Sequence, residues 1–147
     1  MSSTRRSTFP LPDLSWEAVQ PFWDGAAAGE LRMPFCAGCG RTNWYPQPKC
    51  HACKGTETEW RTLPGTGMVF SYSVLHHTFL PQYKDLIPFV TGLVVVDGAP
   101  GARLVTRFVD VEPADMRCDM PVEVVFRPLE VAGVEGSVIA PLFRPVR

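Results

Sequence analysis

No stretch of this chain approaches the roughly 20 consecutive apolar residues that a bilayer-spanning helix requires. The opening MSSTRRSTFPLPDLSW carries Arg5 and Arg6 with no apolar run behind them, so it does not read as a secretory leader. These two absences lead to the expectation of a soluble, cytoplasmic protein without a membrane partner. Charge of one sign is also missing: the formal net charge is −1, whereas a generic polyanion binder is visibly basic. There is no G-x-S-x-G elbow, no glycine-rich phosphate loop and no H-E-x-x-H metal helix. Fifteen prolines and twelve glycines leave little room for long helices and point to many turns. At 147 residues the chain is about one domain with a small appendage, and 46% hydrophobic residues can form a core without a disulfide framework.

Cysteine is scarce, yet four of the five fall between positions 36 and 53, as Cys36-x-x-Cys39 and Cys50-x-x-Cys53. Disulfides are disfavoured in a reducing compartment. A thioredoxin-type motif needs one such pair at a helix N-terminus after a strand, not two pairs among prolines and glycines. A structural metal site suits the spacing, because each Cys-x-x-Cys makes a tight turn aiming two sulfurs at one point, and two turns complete a tetrahedron. Gly38 and Gly40 allow the backbone angles of such a turn, while Pro46 and Pro48 keep the intervening segment extended. Zinc is the expected cofactor, with iron compatible with the same sulfurs. A site closed by four protein ligands has no open position for substrate, which makes it structural. His51, inside the second turn, is superfluous to a four-thiolate set and is expected at the surface. Residues 32–54 carry Arg32, Arg41, Lys49 and Lys54 and no carboxylate. Four thiolates on Zn²⁺ leave that segment near +2, weak for phosphate binding.

Around this ribbon the pattern changes twice. Ser15 to Leu31 reads as helical, with Pro21 in the first turn and Gly25 and Gly29 weakening it. After the ribbon the period becomes two. GMVFSYSVLHH places Phe70, Tyr72, Val74 and His76 on one face, and Ser71, Ser73 and His77 on the other. FVTGLVVVD is a nearly continuous β-branched run. ARLVTRFVD sets Leu104, Thr106 and Phe108 opposite Arg103 and Arg107. VEPADM is a short helical turn, VEVVFRPL and SVIAPLF are strands, and Glu57 to Leu63 is either a strand or a bridge. Five such strands with one helical turn between the third and fourth suit a closed OB-fold barrel; periodicity leaves other small β-barrels and sandwiches open. The expected organisation is a tail and helical lead over 1–31, the ribbon over 32–59 and the barrel domain over 60–147.

No nucleophile constellation accompanies this architecture. Cys118 lacks an assignable histidine, and His76 and His77, as adjacent strand residues, would point to opposite faces. The loop TFLPQYKDLIP is long for a hairpin and suits a ligand or partner. Trp16, Phe22, Trp23, His76, His77, Phe79 and Tyr83 are therefore the candidate partner or ligand contacts, aromatic residues being favoured in interface cores. A single-stranded nucleic-acid binder is the competing reading, since OB-folds and zinc ribbons both serve that purpose. The net charge and the acids Asp97, Asp110, Glu112 and Asp115 stand against it.

An FW-containing helical lead, then GELRMPFCAGCGRTNWYPQPKCHAC, GTGMVFSYSVLHH, IPFVTGLVVVDG and MPVEVVFRPL, resembles the zinc-ribbon/OB-fold family found beside thiolase-like and acyl-CoA enzymes, over about residues 17–143. The resemblance implies a mainly β protein: an N-terminal helical segment, a rubredoxin-like zinc ribbon and a five-stranded OB-fold barrel. It implies metal ligation by Cys36, Cys39, Cys50 and Cys53. Members are non-catalytic partner subunits or fused domains of thiolases, acyltransferases, hydroxymethylglutaryl-CoA synthases and steroid side-chain aldolases or hydratases. By that resemblance the chain would stabilise such a partner, line its acyl-CoA channel and assemble as a heterotetramer of two copies each. One departure is Cys118-Asp119, where the family often has a glycine before the MPVEV strand, so the form of that turn is open.

Overall fold

The computed structural model describes residues 10–147; Arg5 and Arg6 lie outside the described residues. Helix α1 (Gln20–Ala27) follows a single 3-10 turn at Glu17–Val19 and has Pro21 in its first turn, where a missing N–H costs nothing. Its buried stripe is Val19, Phe22 and Ala26, the i, i+3, i+7 spacing of one helix face. Gly25 earns its place in α1: a Cβ there would sit 2.8 Å from the Arg32 side chain, so glycine lets strand β1 begin close against the helix.

Strands β1 (Leu31–Cys36) and β2 (Thr58–Leu63) pair antiparallel, Leu31 opposite Leu63 and Cys36 opposite Thr58. The segment read as Glu57 to Leu63 is thus a strand, beginning at Thr58. Between β1 and β2 run both cysteine turns. Leu31, Met33 and Phe35 of β1 join the same buried cluster as Val69, Val94 and Phe143, so ribbon and barrel share one core.

The barrel comprises β3 (Thr66–Leu75), β4 (Phe89–Val96), β5 (Leu104–Phe108), β6 (Pro121–Leu129) and β7 (Val138–Pro145). It closes in the order β3-β4-β5-β7-β6, with the 3-10 turn Pro113–Asp115 between β5 and β6. This is the five-stranded OB-fold architecture. The inward set Leu104, Thr106 and Phe108 on β5 is as the alternation predicts. Closure between β5 and β7 is parallel and rests on one register pair, Phe108 with Phe143.

Strand β3 departs from the predicted pattern. A bulge between Val69 and Ser71 inserts one residue and shifts the phase, so Val69 is fully buried while Phe70 turns out beneath the Arg103 guanidinium, 4.3 Å from its ring centre. Tyr72 stays on the core side and donates its hydroxyl to the Met116 carbonyl at 3.0 Å. The strand ends at Leu75. His76 and His77 therefore lie beyond it, both exposed, and strand alternation does not govern them. The turn before β6 has its own explanation: Asp119 takes φ +67, the left-handed region, with its N–H on the Val69 carbonyl at 2.8 Å. Aspartate is among the few non-glycine residues that adopt this conformation readily.

Candidate metal centre and adjoining crevice

Cys36 ends β1 and is buried; Cys39 follows one tight turn later, where Gly40 has φ +77 and donates its N–H to the Cys36 carbonyl. Cys50 and Cys53 repeat the device, with the Lys54 N–H on the Cys50 carbonyl and Lys54 itself at φ +67. The two turns face each other. All four sulfurs lie within 4.8 Å of one another, with Cys36 Sγ to Cys53 Sγ at 3.5 Å and Cys39 Sγ to Cys50 Sγ at 3.7 Å. Sulfurs about 2.3 Å from a tetrahedral metal are separated by about 3.8 Å, so the set fits a four-coordinate thiolate centre. Backbone N–H groups of Ala52 and Gly55 each donate to a sulfur at 3.4 Å. A Cβ at Gly55 would lie 3.2 Å from Cys53 Sγ, so the missing side chain makes room for the cluster.

The electrostatics favour thiolate at Cys50 and Cys36. The Cys53 N–H, then the Asn43 side chain and the Ala52 N–H, pull the Cys50 thiol down to about 5. The Cys39 N–H chiefly lowers Cys36. At Cys53 the Gly55 N–H acts in the same direction, but the neighbouring thiols of Cys36, Cys39 and Cys50, together with burial, push it up to about 11. Mutual repulsion among four anions is what a divalent cation relieves. His51 is exposed and pairs its Nδ1 with Asn43 Oδ1 at 2.6 Å, outside the sulfur set.

The segment joining the two turns packs against the N-terminal helical part. Trp44 packs on Phe22 with ring centres 4.8 Å apart, and Tyr45 meets Trp16 at 5.4 Å. Beside them opens a crevice of about 670 Å³, lined by α1, the Trp44–Tyr45 segment and parts of β4, β5, β6 and β7. Of the residues singled out from sequence, Phe22, Trp23 and Tyr83 converge on this crevice. Phe22 is buried, Trp23 stands edge-on to it at 5.0 Å, and Tyr83 is edge-on to Phe89 at 6.1 Å. Trp16 is not among the lining residues, though its ring meets that of Tyr45. Phe79, at 103% relative exposure, stands clear of the fold. His76 and His77 are not among the residues lining the crevice. Trp44, Tyr45 and Arg107 are lining residues that sequence reasoning missed; the signal for the first two was an aromatic pair between metal turns, where a bare linker would suffice.

A family model described as "ChsH2, rubredoxin-like zinc ribbon domain" matches residues 23–59, and one described as "ChsH2, C-terminal OB-fold domain" matches residues 60–127. A DUF35 domain-containing scaffold protein of Methanocaldococcus jannaschii is 34% identical over 107 residues, covering 70% of this chain and 72% of that protein. A probable enoyl-CoA hydratase alpha subunit of Thermomonospora curvata is 32% identical over 125 residues; the match takes in 84% of this chain but only 36% of that relative. Among solved structures, a chain of the Ltp2-ChsH2(DUF35) aldolase superposes with a TM-score of 0.74 at 29% identity, over 91% of this chain and 98% of that one. The ordered ribbon, the closed barrel and these likenesses agree, and the chain belongs to the ChsH2-type DUF35 family of zinc-ribbon/OB-fold proteins.

Proposed function

We propose that this protein is a non-catalytic accessory subunit of a thiolase-like, acyl-CoA-handling enzyme. The partner makes or breaks a carbon–carbon bond next to a thioester by Claisen, thiolytic or retro-aldol chemistry, steroid side-chain degradation being one setting for it. This chain stabilises the partner and lines its acyl-CoA channel, in a heterotetramer with two copies of each subunit. Zn²⁺ on Cys36, Cys39, Cys50 and Cys53 is structural in this reading, holding the Trp44–Tyr45 segment in place. The supporting observation is the near end-to-end likeness to a chain of the Ltp2-ChsH2(DUF35) aldolase. The aromatic residues left at the surface, Trp16, Tyr45, Phe70 and Phe79, suit a partner interface.

Affinity capture of the tagged chain from its host, with mass spectrometry and light scattering of the captured complex, tests the proposal. A stoichiometric thiolase-like protein at two copies each is the expected result. Recovery of the chain alone, or with single-stranded nucleic acid in a strongly salt-dependent complex, overturns it.

A further inference from the structure

The crevice beside the ribbon contains a cation that no described acid neutralises. Arg107 projects from β5 into it and is half-buried, yet its guanidinium makes no salt bridge and no side-chain hydrogen bond among the described residues. The nearby Arg127 is already forked onto both oxygens of Asp110, at 2.9 and 2.6 Å, so that carboxylate is engaged elsewhere. Glu130, the one acid lining the crevice among the described residues, is exposed. The lining is largely apolar, with Phe22, Trp23, Trp44, Phe89 and Leu142, and its polar members include Thr91, Thr106 and Tyr83. Burial acts to lower the pKa of Arg107, partly countered by Tyr83, but a guanidinium keeps its proton. A charge partly removed from water, without an acceptor, is costly until an anion arrives. The volume lies within the roughly 300–1,000 Å³ of small-molecule sites.

We propose that this crevice binds an amphipathic monoanion, a molecule with an apolar body and a single carboxylate, the carboxylate resting on Arg107 and the body lying among Phe22, Trp23 and Phe89. Among the described residues the lining holds a single cation and one acid, a set that does not match a polyphosphate nucleotide headgroup, so coenzyme A by itself is not the expected occupant. The assignment stands on this chain alone and does not depend on the accessory-subunit reading.

The test uses the full, zinc-loaded chain, with binding followed by calorimetry and by the emission of Trp23 and Trp44. Decanoate, 1-decanol and coenzyme A are each titrated below any micelle concentration. Decanoate should bind saturably and at least about tenfold more tightly than the alcohol, as expected for a charge-assisted bond in a partly dry site. Arg107→Gln should erase that preference, and Arg107→Lys should keep most of it. Absence of saturable decanoate binding, equal affinity for acid and alcohol, a preference that survives Arg107→Gln, or coenzyme A binding as tightly as decanoate would each overturn the proposal.

Discussion

At the scale of single residues, the four thiols carry more consequence than any other side chains. Cys50 is drawn down to about 5, chiefly by the Cys53 N–H, which favours the thiolate form that ligates a metal. Cys50→Ser removes one corner of the tetrahedron, and metal content should fall from about one ion per chain to near none, read by elemental analysis. Asp110 gives a second residue-level expectation. The fork from Arg127 comes first among the causes holding its carboxyl below the ordinary 3.8. A depressed carboxyl contributes stability that is present above its unfolded pKa and disappears as pH falls through the folded one. Asp110 also has φ +56, which asparagine tolerates, so Asp110→Asn removes the charge with little backbone cost. Wild type should exceed the variant in urea stability at pH 6, and the gap should shrink as the pH is taken down below 3.8. The cysteine positions were legible in sequence because metal ligation is a matter of short-range spacing. Arg107 was not: alternation set it outside the barrel, which is correct, and nothing local says that α1 and Trp44 would roof that outside surface.

Elements were legible where the pattern was long. The β-branched run of β4 and the alternation of β5 each yield strands at the expected places, because side-chain period and burial agree over several residues. Strand β3 shows the limit. Its bulge is set by pairing with β4, where Ser71 faces Leu93 after Val69 faces Val94, and that register is a property of two strands. Gly92 lies opposite Tyr72 in this distorted stretch, and a Cβ there would collide with the Ser71 carbonyl oxygen and the Tyr72 backbone. Gly92→Ala should therefore destabilise the chain by about 2–3 kcal/mol in denaturant titrations, since backbone rather than a movable side chain is in the way. A variant of wild-type stability would mean that β3 can re-register.

For the whole molecule, the shared core sets the behaviour. β1 belongs to the ribbon by pairing with β2 and to the barrel by burying Leu31, Met33 and Phe35 in the common cluster. Stripping the metal should for that reason weaken the whole chain. Calorimetry should show one transition, lowered by on the order of 10 °C, in place of a ribbon that melts first and a barrel that does not respond. Two separated transitions in the metal-free chain would mean that the ribbon is an independent module. No helix among the described residues is long and apolar enough to cross a membrane.

The sequence by itself determined the ribbon, the mainly β character and the family, because ligand spacing, alternation and the order of motifs along the chain are local properties. Only the tertiary structure decided that Phe22, Trp23 and Tyr83 meet while His76, His77 and Phe79 stay apart. It also decided that β5 and β7 share a single register pair, and that Arg107, without an ion pair among the described residues, lines the crevice beside them. Barrel closure joins residues far apart in the chain, and where two strands part depends on how the remaining three twist and pack, which no short window of sequence records.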